Sequence, residues 1–160
     1  MREYFVLTLV LLGAPLADAQ TVPPNWQIIK DSKGACQIAV PPDWASWGDN
    51  AGAAVFQDVS TAIAVVTSQP GQAFKPLTEA MMRMLDLRKE KIFENSSKRI
   101  FYQERTSTGP QVPNAYSVSV PGKDGTCSGR VNFLPSVSTD TVKKIVLSLG
   151  PVPAEPDGGS

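Results

Sequence analysis

The clearest pattern in the chain is a strict alternation near its end. Over residues 116–120, Tyr116, Val118 and Val120 are apolar while Ser117 and Ser119 are polar. Over residues 126–133, Cys127, Gly129, Val131 and Phe133 share one parity and Ser128, Arg130 and Asn132 the other. Successive strand side chains point to opposite faces, so both segments predict half-buried strands. Asp124-Gly125 supplies a turn between them. Upstream, residues 26–30 and 36–40 predict a hairpin closed by Asp31-Ser32-Lys33-Gly34, with Cys36, Ile38 and Val40 on one face. The apolar runs 53–59 and 61–67, parted at Ser60, predict a second hairpin, and 99–105 a further strand. Residues 43–52 show no period and read as a loop; 69–76 reads as a linker and 106–114 as another loop.

Two segments carry the helical period instead. Across 78–91, Leu77, Met81, Met84 and Leu85 form one stripe, with Glu79, Arg83, Asp86 and Glu90 opposite. Pro76 precedes this segment, where its fixed φ suits a helix start. In the second, Ser138 or Thr139 can cap, Asp140 favours the first turn, and Val142, Ile145, Val146 and Leu149 form the core stripe. Gly150-Pro151 stops it, and 151–160 reads as a disordered tail. The order is about four strands, a helix, three strands and a helix. Short connections imply antiparallel pairing. The expectation is one α+β domain over 20–150, an antiparallel sheet of about six or seven strands packed with two helices.

The N-terminus reads as an address. Arg2 is followed by an apolar run over 4–12 broken only by Thr8, then Gly13, Pro15 and the small-x-small site Ala17-Asp18-Ala19. That order predicts a signal peptide over 1–19, cut after Ala19. The run falls short of the roughly 20 residues that span a bilayer. No cysteine follows the cut to carry a lipid, so the mature chain is expected to be secreted or periplasmic, with no stable membrane anchor. Export changes how Cys36 and Cys127 are read, because two cysteines in an oxidising compartment most often form one disulfide. Both fall on the apolar faces of their strands.

Composition removes several functions. The chain has 160 residues, 15 Lys+Arg, 15 Asp+Glu and no His. Balanced charge argues against a nucleic-acid partner, which needs a basic footprint. Without His there is no His-based triad or metal cluster. Nucleophilic catalysis would need a Ser beside a Lys or carboxylate base. Lys98 near Ser96-Ser97 and Lys123 near Ser128 are the local pairs, and both read more simply as solvated lysines. Gly122-Lys123-Asp124-Gly125 lacks phosphate-loop spacing. Asp43, Asp49 and Asn50 lack the carboxylate density of a calcium loop. No cofactor and no metal are expected. Asn95-Ser96-Ser97 is a glycosylation sequon, relevant only in a eukaryotic secretory host.

Three surfaces remain as candidates. Trp44 and Trp47 share one short segment, as an aromatic anchor for a partner or as plugs at the end of the fold. Met81, Met82 and Met84 suit either an adaptable groove or, for Met81 and Met84, core packing. The outward row Ser117, Ser119, Ser128, Arg130 and Asn132, joined by Gln37, is either a hydrogen-bonding platform or the solvated face of a sheet.

The stretches CQIAVPPDW (36–44), TSQPGQAFKPLTEAM (67–81) and KKIVLSLG (143–150), in this order of elements, resemble the PsbP-like fold. That superfamily includes a photosystem extrinsic subunit, a Ran-binding nuclear import factor and small exported bacterial proteins. The resemblance covers most of the mature chain. It implies an antiparallel sheet sandwiched between helices, and a non-enzymatic accessory role, often in binding another protein. The superfamily shares no catalytic centre, so no functional residue carries over. The polar outward positions of the last two strands depart from a fully covered sheet. The leading expectation is an exported, non-catalytic accessory or binding domain for a protein or small ligand. The alternatives are a His-independent hydrolase or transferase working through carboxylates, and a small-ligand carrier using the polar sheet face.

Overall fold

The computed structural model describes residues 22–50, 53–58, 61–104 and 113–154, with the backbone alone for 46–50 and 53–58. The expected signal peptide, the turn at Ser60 and residues 155–160 lie outside the described residues. Among the described residues, ten strands and two α-helices follow in the order β1 (Gln27–Lys30), β2 (Cys36–Val40), β3 (Ala45–Asn50), β4 (Ala53–Asp58), β5 (Ala62–Pro70), α1 (Glu79–Met84), β6 (Ile92–Asn95), β7 (Ile100–Gln103), β8 (Asn114–Pro121), β9 (Gly125–Phe133), α2 (Thr139–Leu147) and β10 (Gly150–Pro151). The chain is α+β, and every strand pair among the described residues is antiparallel, as the short connections implied.

The single sheet expected is in fact two. Seven strands form one sheet in the order β3-β4-β5-β9-β8-β7-β6, and β1-β2-β10 form a second. The β1–β2 hairpin does not extend the large sheet. It lies on its apolar face beside α2, with Cys36, Ile38 and Val40 in the same buried cluster as Val66, Val118, Val131 and Phe133. From α2 the cluster takes Val142, Ile145 and Val146, and from just past the helix end Leu149, the stripe read from sequence. Ser138 caps α2 by accepting from the Thr141 N–H. Ser148 Oγ then accepts from the Ala39 N–H at 2.8 Å, tying the helix end to β2.

Residues 45–50 form β3 rather than a loop. Its register against β4 shifts between Ser46 and Asp49, and a bulge of that kind erases the period-two signal. The helix expected over 78–91 is also shorter. Thr78 caps α1, but the helix ends at Met84, and Asp86 adopts φ +51°. A three-residue 3-10 turn, Lys89–Lys91, leads into β6, a strand the sequence reading missed. No residue of α1 is buried. Little tertiary contact therefore rewards propagation of a helix that is marginal at this length. The start of the expected tail is instead tied down: Gly150 and Pro151 pair with Gln37 and Cys36, and the Val152 N–H donates to the Ala35 carbonyl at 3.0 Å.

Two clamps join the sheets. Cys36 of β2 and Cys127 of β9 form a disulfide with a Cα–Cα distance of 5.6 Å, closing a sequence separation of 91. Beside it, buried Asp31 accepts from the Ala35 and Cys36 N–H groups at 2.8 and 2.9 Å and from Ser68 Oγ at 2.5 Å. Ser68 belongs to β5, so this carboxylate links the small sheet to the large one. Burial by itself would raise the Asp31 pKa. The hydrogen bonds from Ser68, Cys36, Ala35 and Lys33 outweigh it and hold the carboxyl below its ordinary value.

Candidate functional site

The opposite face of the large sheet is polar. Register aligns Tyr102, Ser117, Arg130 and Val65 in one row across β7, β8, β9 and β5, and Ile100, Ser119, Ser128 and Thr67 in the next. Four of the five residues of the expected outward row, Ser117, Ser119, Ser128 and Arg130, thus become adjacent. Asn132 shares their parity but pairs with Ala115 and Ile63, further along β9. Gln37 does not join the row, because β2 lies in the other sheet, where Gln37 pairs with Lys30.

This face is not left bare. The segment after β5 and helix α1 pass over it, leaving between them and the sheet a cavity of about 760 Å³ that is open to solvent on one side. Phe74, Leu77, Met81 and Leu85 line it from that roof. Ser117, Ser119, Ser128 and Arg130 line it from the strands, with Ile100 and Tyr102 beside them. The stripe expected to enter the core therefore does not. Leu77, Met81 and Leu85 face the cavity, with Met81 39% and Leu85 43% exposed, and Met84 is 78% exposed. A helical period reports that one face seeks apolar company, and here that company is a hollow rather than the core.

Two side chains fasten the roof. Thr126 Oγ1 donates to the Gln72 carbonyl at 2.8 Å. The Asn95 side chain accepts from the Leu77 N–H at 2.8 Å and donates to the Leu77 carbonyl at 3.0 Å. The sequon asparagine thus holds the start of α1 against β6.

The hydroxyls on the sheet largely satisfy one another. Ser119 and Ser128 share a hydrogen bond of 3.2 Å. Ser117 Oγ donates to one oxygen of Glu104, whose other oxygen accepts from Arg130 Nη2 at 2.6 Å. Tyr102 stands next to this cluster. Burial, then the Glu104 charge, raises its phenol pKa, opposed by a Ser117 hydrogen bond and by Arg130. The phenol therefore stays protonated at neutral pH.

The other candidates fall elsewhere. Trp44 is buried in the core cluster with Trp26 packed against that cluster, the plugging role. The Trp47 side chain lies outside the described residues. Ser96 meets the backbone of Lys98 rather than its amine: its Oγ accepts from the Lys98 and Arg99 N–H groups and donates to Glu94, shaping the β6–β7 turn. Lys123 lines a separate hollow of about 370 Å³ near the disulfide, away from Ser128. Among the described residues, no helix is long and apolar enough to cross a membrane.

No family model and no curated protein matches the chain. A solved structure from Bacteroides thetaiotaomicron VPI-5482 is similar over 78% of this chain at 12% identity and a TM-score of 0.47. The match covers 46% of that protein, so the chain spans about half its length.

Proposed function

We propose that this chain is an exported, non-catalytic binding domain, and that the cavity over the polar sheet face takes a small ligand with an apolar body. One observation carries the reading: four apolar roof residues stand over sheet hydroxyls that already bond one another. Ligand cavities are commonly of this size, mostly apolar, with a few convergent polar groups. Export rests on the segment 1–19, and the disulfide fits an oxidising compartment. The PsbP-like assignment belongs to the same proposal, with α2 and the small sheet on one side of the large sheet and the roof on the other. Against the hydrolase alternative, Glu104 is engaged by Arg130 and Ser117 rather than paired with a second carboxylate.

The test uses the neutral fluorophore N-phenyl-1-naphthylamine. Wild type should bind it at one site with enhanced fluorescence. Ser119→Phe, which fills the cavity from the sheet side, should lose that binding while keeping the wild-type circular dichroism spectrum. Absence of binding by wild type, or equal binding by the folded variant, overturns the reading.

A further inference from the structure

The cavity selects among apolar molecules by the polar groups that line it. Its own hydrogen bonds narrow the choice. Ser119 and Ser128 bond each other, Ser117 is committed to Glu104, and Thr126 to the Gln72 carbonyl. Ser117 and Thr126 thus spend their protons within the protein, and of the Ser119–Ser128 pair one O–H donates to the other, so a single hydroxyl proton of these four is left for a ligand and an apolar body can lie against the rest. The charged groups differ. Lys75 and Arg130 line the cavity, and no carboxylate is among its described lining residues. Arg130 gives Nη2 to Glu104 and remains half exposed. A guanidinium has five N–H donors, so most of its fork stays available. The more buried Glu104, itself held by Ser117, orients that fork. Lys75 is exposed on the roof and brings a second positive charge to the same space.

From this charge complementarity, and resting on the binding-domain reading, we propose that the ligand is a single-chain amphiphile with an anionic head. Its apolar chain lies under Phe74, Leu77, Met81 and Leu85, and its head group meets Arg130 and Lys75. Arginine suits the head because its planar donors match a carboxylate or similar oxyanion in a bidentate contact. Glu104 offsets part of the Arg130 charge, so the preference for anions is moderate rather than absolute.

Displacement of N-phenyl-1-naphthylamine by three ten-carbon probes at pH 7, each below its micelle concentration, decides the matter. The probes are decanoate, 1-decanol and decyltrimethylammonium. Decanoate should displace the fluorophore at a concentration at least about fivefold lower than decanol, and the cation should be weakest. The margin should shrink as salt rises from about 0.05 to 0.5 M, because exposed charges are screened over a few ångströms there. In the double variant Lys75→Gln, Arg130→Gln, decanoate should fall to the level of decanol while decanol itself is unchanged. Equal displacement by all three probes overturns the anionic head and leaves the apolar cavity standing. A decanoate preference that survives in the double variant overturns the assignment to Lys75 and Arg130. Failure of every probe to displace a bound fluorophore overturns this inference alone, whereas failure of wild type to bind the fluorophore at all overturns the binding-domain reading beneath it.

Discussion

Replacing Cys36 and Cys127 together by alanine should lower the folding free energy by about 3–5 kcal/mol. The magnitude follows from where the bond sits. The crosslink closes 91 residues and joins β2 of the small sheet to β9 at the centre of the large one. In the chain-entropy description a loop of that length restricts the unfolded chain by about 4.6 kcal/mol. Both sulfurs are buried, so their removal adds lost packing on the order of 1 kcal/mol each. Residual structure in the unfolded chain takes part of this back. Alanine is the right replacement, because serine would bury a hydroxyl. Equilibrium urea unfolding at pH 7 is the assay. The midpoint should fall, and the slope m should rise, since the freed chain exposes more surface when unfolded. A loss under about 1 kcal/mol would refute the reasoning. So would a full loss with m unchanged, which would place the effect in the folded state rather than in the unfolded chain.

Gly125→Ala should destabilise by about 2–3 kcal/mol or more, because a Cβ there would lie 2.1 Å from the Gln69 carbonyl oxygen, a backbone atom of the paired strand. Gly129→Ala is the control: its nearest neighbour is a Val118 methyl at 3.2 Å, which has more freedom to yield, so thermal melts should separate the two. Because the folded-state pKa of Asp31 is lowered, its stabilisation is fully present above the unfolded value and is lost as pH falls through the folded one. Urea midpoints should therefore hold steady from pH 7 to 5 and drop below about pH 4, with a smaller drop in Asp31→Asn. Asn95→Ala removes both side-chain bonds to Leu77, yet α1 buries no residue, so global stability should change by less than about 1 kcal/mol. Amide exchange across Glu79–Met84 should nonetheless quicken, and unchanged exchange would show that Asn95 does not fasten the roof.

Much of the architecture was legible where the signal is local. The alternation at β8 and β9 specified both their strand state and their two faces, because side-chain direction in a strand depends only on parity. The cap of α2 and its stripe at Val142, Ile145 and Val146 were readable from neighbouring residues, whereas the helix ends at Leu147 and Gly150-Pro151, read as its stop, form β10. The disulfide followed from there being two cysteines in a chain that starts like an exported one. Elsewhere the deciding interaction was not local. The bulge in β3 hid its period, and the long register of β5 on β9, from Ala62↔Phe133 to Pro70↔Gly125, joins strands far apart in sequence. Only the tertiary structure sends the β1–β2 hairpin to the core face of the large sheet instead of its edge, since both positions would bury the same apolar residues. Only it converts the Leu77, Met81 and Leu85 stripe from core into the roof of a cavity. Periodicity states that those side chains share a face; what that face meets depends on Asn95 and Thr126 holding the segment across the polar rows, contacts that span 18 and 54 residues.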